Sequence, residues 1–107
     1  MDGKELQERY RVSDRVLQEY AEWKRGQGKR DGFSESDVPF LSLMLTLYDI
    51  GFNKEETARY LSLAAEHDQA GCLELLEQLR ARHLRCLHRV QGRLERLDSL
   101  RSQMQKR

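Results

Sequence analysis

The chain has 107 residues, of which 38% are hydrophobic and 35% charged, with a formal net charge of +1. So little apolar material in so short a chain leaves a thin core, and a partner is the usual remedy. High charge with one proline and seven glycines reads as helical rather than disordered or β-rich.

The start, MDGKELQERY, has no apolar run, so no secretory signal is expected there. No stretch approaches the roughly 18 apolar residues of a membrane span. Cys72 and Cys86 form no C-x-x-C pair, so both are expected as reduced thiols in a cytoplasmic protein. Charge is unevenly spread. Up to Gln69 there are 10 Lys/Arg against 14 Asp/Glu, and from Ala70 onward 9 against 4. The basic part is therefore the end of the chain, the reverse of a protein whose front end grips phosphate.

In chain order, a short helix is expected over 4–9, with Leu6 and Tyr10 facing inward at i, i+4. Val12 marks a turn and Ser13 an N-cap. Val16, Leu17, Tyr20 and Trp23 then have helical spacing, predicting a second helix to about Lys24. The stretch RGQGKRDG reads as a loop. Ser34-x-x-Asp37 resembles a capping box, and Pro39 is tolerated in the first turn of the helix that follows. Phe40, Leu43, Met44, Leu47 and Tyr48 make its apolar face.

Gly51 is expected to end that helix in a left-handed conformation, with Phe52 packing back. Asn53 caps the next helix, whose first turn holds Glu55 and Glu56 and which runs through Thr57, Tyr60, Leu61 and Leu63 to about Ala65. HDQAG is read as a hinge over 67–71.

From about Cys72 to Gln105 there is no proline and one glycine, Gly92. Leu73, Leu76, Leu79, Cys86, Val90, Leu94, Leu97 and Met104 recur in steps of three and four, with His83 and Arg101 on the same seam. The register slips near Val90, where Leu87 and Leu94 trade places with neighbours. A helix of that length with one apolar seam is expected to pair with its own copy. The dimerisation residues expected are Leu76, Leu79, His83, Cys86, Val90, Leu94, Leu97 and Met104.

Asp37-Val38, Leu41 to Leu47, Ile50-Gly51-Phe52, Glu55-Glu56 and Tyr60-Leu61 together resemble the mercury-resistance regulator (MerR) family. Upstream, Leu6, Val12 and Ser13 are similar to that family's helix-turn-helix. The resemblance covers almost the whole chain and implies a dimeric transcription regulator that binds promoter DNA, with an antiparallel coiled coil after the hinge. The DNA-facing positions it implies are Arg11, Ser13, Arg15, Gln18, Tyr20, Lys24, Arg25, Lys29 and Arg30.

The chain departs from the family where DNA would be touched. Gln18-Glu19-Tyr20-Ala21 stands where the family carries Arg-Tyr-Tyr-Glu, and Lys29-Arg30-Asp31-Gly32-Phe33 replaces its wing. Residues 1–36 carry 8 basic and 8 acidic side chains, and phosphate neutralisation supplies most non-specific DNA affinity. Glu19 is expected to face the backbone and repel it.

Metal-sensing family members keep a cysteine near Cys72 and a second one in a later loop. Here the other cysteine, Cys86, lies two heptads along the rod, so no metal site and no cofactor are expected. No phosphate loop, catalytic triad or paired-acid motif appears, so no enzyme is expected. Trp23, Phe33 and Phe40 read as seals of a small helical core rather than a ligand pocket.

The reading is thus an all-α chain: a helix-turn-helix and helical hairpin over 1–66, a hinge over 67–71, and a coiled-coil helix over 72–107. The function expected is a homodimeric DNA-binding regulator without a dedicated effector domain. The alternative is a dimeric protein-interaction module that kept this scaffold and lost DNA binding.

Overall fold

The computed structural model describes residues 2–29 and 32–106. Among them are five α-helices and no strand: α1 Gly3–Tyr10, α2 Asp14–Gly26, α3 Val38–Asp49, α4 Lys54–Ala65 and α5 Gln69–Gln105, with a 3-10 turn, Glu35–Asp37, ahead of α3. The chain divides into one compact unit up to Cys72 and a second from Leu73 onward.

Local chemistry sets most boundaries of the first unit. Asp2 caps α1 by accepting the Glu5 N–H at 2.8 Å, and Ser13 caps α2 by accepting the Val16 N–H at 3.2 Å. Only Arg11, Val12 and Ser13 separate the two helices, with Arg11 left-handed at φ 55°. The Gln7 side-chain amide donates to the Asp14 carboxylate across this turn. At α4 the box is reciprocal: Asn53 Oδ1 accepts the Glu56 N–H at 2.8 Å and Glu56 Oε1 accepts the Asn53 N–H at 3.0 Å.

The end of α3 forms as the sequence predicts. Gly51 has φ 109°, the Phe52 N–H donates to the Leu47 carbonyl at 3.0 Å, and the Gly51 N–H to Tyr48 at 3.1 Å. This pair of bonds is a Schellman motif, and Phe52 and Leu47, the two positions whose apolar contact usually accompanies it, are both buried. The end of α4 repeats the same bonds, with Asp68 N–H to Leu63 and His67 N–H to Ala64. There the left-handed residue is His67, at φ 58°.

Three expectations need correction. Tyr10 is exposed rather than inward, because α1 ends at that residue. Leu41, absent from the expected face of α3, is buried with Met44 and Leu47, while Phe40, Leu43 and Tyr48 lie at its half-buried flanks. The hinge is shorter than 67–71, because Asp68 Oδ1 accepts the Gly71 N–H at 2.9 Å and α5 starts at Gln69.

The core of the first unit comes from one stripe of each helix: Leu6 on α1, Val16, Tyr20 and Trp23 on α2, Leu41, Met44 and Leu47 on α3, and Thr57 and Leu61 on α4. Phe33 and Phe40 extend it through rings, with Tyr20–Phe33 centroids 6.3 Å apart and Trp23–Phe40 centroids 5.7 Å apart. Trp23 is buried in the core, and Phe33 and Phe40 are half-buried at its edge.

At 37 residues α5 is about 55 Å long. Leu87, Val90, Leu94, Leu97, Leu100 and Met104 are each more than half exposed. Leu87, Val90, Leu94, Leu97, Arg101 and Met104 follow one another in strict steps of three and four. Cys86, on the expected seam, and its neighbour Leu87, on these regular steps, are both exposed at the place where the sequence pattern slips. Leu79 is buried and Leu76 half-buried in the single chain, while His83 and Cys86 are exposed.

Candidate nucleic-acid interface

The helix–turn–helix of α1 and α2 sorts the nine sequence-derived DNA positions into two groups. Arg11, Ser13, Arg15, Gln18, Arg25 and Lys29 are exposed. Arg15, Gln18 and Arg25 share the outer face of α2 with Asp14 and Glu22, as the helical period requires. Ser13 is committed to capping. Arg30 lies outside the described residues.

Tyr20 and Lys24 do not belong to that face, and both expectations are corrected. Tyr20 is 1% exposed, and its hydroxyl donates to Asp37 Oδ1 at 2.5 Å. Lys24 Nζ reaches Asp37 Oδ2 at 2.8 Å and the Gly32 carbonyl at 2.8 Å, and sits 5.8 Å from the centre of the Phe33 ring. The Ser34 N–H also donates to Asp37 Oδ2, at 2.8 Å. Asp37, read from sequence as a capping residue and as part of the Asp37-Val38 pair, is thus the buried hub that ties α2 to the start of α3. Its one visible signal was the Ser34 spacing, because Tyr20 and Lys24 lie 17 and 13 residues away.

The electrostatics of the hub are settled by these bonds. Burial disfavours the Asp37 carboxylate, but Lys24, Tyr20 and the Ser34 N–H outweigh burial and hold its carboxyl below the usual range. Burial first, and then the Asp37 charge, push the Tyr20 hydroxyl far up, so it stays protonated and donates.

Glu19 is also placed differently from expectation. Its side chain is only 13% exposed, accepts from the Tyr48 hydroxyl, and lies 3.5 Å from Arg15. It therefore turns toward α3 and does not project at a phosphate. Glu22 projects further but is bonded to Lys54 at 3.1 Å. Arg15 remains 77% exposed despite its pairing, which screening makes weak. Lys29 lies 5.9 Å from the centre of the Phe40 ring.

The outer face of α2 thus offers Arg15, Gln18 and Arg25 beside Asp14 and Glu22, with Glu22 paired to Lys54 and Asp14 accepting from the Gln7 amide, and Arg11 and Lys29 lie beyond the two ends of the helix. Those groups can donate to phosphate oxygens from Arg11, Arg25 and Lys29, and to base edges from Arg15 and Gln18. No protein-family model, curated protein or solved structure matches this chain.

Proposed function

We propose that this chain is a MerR-like, homodimeric DNA-binding transcription regulator in which the outer face of α2 reads the major groove. The observation that carries the reading is the three-residue turn between α1 and α2, followed by a capped helix with Arg15 and Gln18 exposed in its first two turns. In helix-turn-helix readers the beginning of the second helix meets the base edges. Arginine pairs bidentately with guanine and glutamine with adenine. Arg11, Arg25 and Lys29 flank that helix and act on phosphates, which fix register without carrying sequence information.

Two of the acidic residues that made the head look neutral are answered within the fold: Glu19 by Tyr48 and Arg15, and Glu22 by Lys54, which lies outside the head. The long apolar seam of α5 supplies the second copy, and with it a second reading head. No catalytic residue, metal or cofactor enters the proposal.

The test is anisotropy of the full chain with a duplex from upstream of its own gene, over a salt series. Binding at low salt should weaken linearly in log–log terms, with about 0.9 of slope per phosphate contact. Arg25→Ala should reduce the slope by about one unit per head, whereas Gln18→Ala should cost about 1–3 kcal/mol on the preferred site and relax its sequence preference.

One observation favours a second reading. Asp14, Arg15, Glu22 and Arg25 alternate in sign along the face, which suits a protein surface better than a polyanion. If no duplex binds even at low salt, the dimeric interaction module becomes the better description.

A further inference from the structure

A cleft between α2, α3 and α4 lies inside the first unit and has a cavity volume of about 200 Å³. Its floor is apolar and nearly closed to solvent: Trp23, Met44 and Leu61. Drug-sized sites run to roughly 300–1,000 Å³, so this one suits a smaller molecule, with room for a single aliphatic or one-ring group. Ala58 leaves the space open on the α4 side.

The rim is charged but balanced. Glu22 and Lys54 face each other across it at 3.1 Å, with both side chains about half exposed, at 53% and 55%. Such an exposed pair is weakly held and easily parted. Glu19, the other acid of the rim, is fixed by Tyr48 and Arg15. A lipophilic cation inserted here would leave Lys54 without its partner, and a lipophilic anion would do the same to Glu22. A neutral apolar molecule would use the floor and ignore the rim. Only a head group that carries both charges satisfies both rim residues while its apolar part covers the floor.

We propose that this cleft is a binding site for a free α-amino acid with an apolar side chain, its ammonium on Glu22, its carboxylate on Lys54 and its side chain over Trp23 and Met44. One ion pair is exchanged for two, and the rim stays neutral throughout. The proposal does not rest on α2 reading DNA, although Glu22 lies on the same outer face of that helix.

Trp23 is the single tryptophan of the chain, so its emission reports on the floor directly. Titration of the full chain with L-leucine should give a saturable change in Trp23 emission. Isoamylamine and 4-methylpentanoate each lack one charge and should bind at least about tenfold more weakly. Glu22→Gln and Lys54→Met should each weaken L-leucine by a similar factor with unchanged helical circular dichroism. Ala58→Leu, which fills the cleft with a good helix former, should abolish the response.

Equal responses to L-leucine and isoamylamine would replace the zwitterion with a simple cation, and equal responses to all three would reduce the cleft to an apolar hole. Either result overturns the proposal. So does the absence of any response to L-leucine or L-phenylalanine up to roughly 10 mM, beyond the millimolar range of weak binding. DNA plays no part in these readouts, so their failure and the failure of the DNA reading are separate results.

Discussion

Asp37 shows how much one carboxylate can organise. Its side chain is 7% exposed and Lys24's is 14%, so removing the charge leaves an ammonium with poor access to water. Asp37→Asn should therefore cost about 3 kcal/mol at neutral pH, measured by urea denaturation. The sign with pH follows from the direction of the shift. A carboxyl held below its unfolded range contributes stability that is complete above about pH 4 and is lost as pH falls through the lower folded value. The gap between wild type and Asp37→Asn should shrink on acidification below that point, and a gap constant down to acid pH would remove Asp37 from the role of charged hub. The two left-handed residues make a paired prediction. Gly51→Val forces a β-branched residue to φ 109° and should destabilise by roughly 1–3 kcal/mol, whereas His67→Gly relieves a side chain at φ 58° and should stabilise by about 1 kcal/mol. Thermal melts of the two variants that shift in the same direction would count against this account of the helix ends.

Among the elements, α5 exposes the most apolar surface. Leu87, Val90, Leu94 and Leu97 stand in water on a single chain, and an unpaired seam of that length favours self-association. Sedimentation at micromolar concentration should give twice 12.7 kDa, with a melting temperature that rises with protein concentration. Leu94→Arg should return the chain to a monomer, because it places a charge in the middle of the exposed run. Cys86→Ser should leave the dimer intact, since the regular steps pass through Leu87. A monomeric wild type would remove the dimer from the proposed function, and a dimer indifferent to Leu94→Arg would move the interface elsewhere. Element α2 is the opposite case. One face carries Val16, Tyr20 and Trp23 into the core, and the other carries Arg15, Gln18 and Arg25 outward, so a single helix both builds the unit and presents the surface proposed to read DNA.

For the whole molecule the decisive property is where charge remains free. The chain is nearly neutral, and along α2 two of three acids and two of three bases are paired: Glu19 with Arg15, Glu22 with Lys54 and Lys24 with Asp37, while Arg25 stays exposed on the helix and Arg11 and Lys29 stay exposed beyond its ends. Gln18→Arg should then tighten binding to duplexes outside the preferred site about tenfold, since it adds a cation to the outer face, while it removes the amide's base contact and narrows the preference for that site. Changing Glu19 to Tyr at the same time should destabilise the fold, because it removes the carboxylate that accepts from Tyr48. Lys24→Ala is the informative control. It should destabilise the fold through Asp37, with little change in the salt slope of whatever binding remains. A fall in slope as large as that of Arg25→Ala would place Lys24 on the DNA after all.

Sequence alone determined the features that depend on near neighbours along the chain. The caps at Ser13 and Asn53, the Gly51–Phe52 helix end and the period of α5 all rest on contacts within one or two turns, where spacing and residue type carry the information. The all-α class followed from the same local signals. Tertiary structure alone decided which polar residues of α2 face outward and which are spent inside. Lys24 looks like any other polar residue on a helix, and Tyr20 fits both the apolar spacing and the DNA-facing set, until Asp37 is brought beneath them; Glu19 looks like a repulsive surface charge until Tyr48 of α3 arrives to meet it. These pairings join residues 13 to 29 positions apart, on different helices. No local spacing encodes them, because the bonds exist only after the helices have packed.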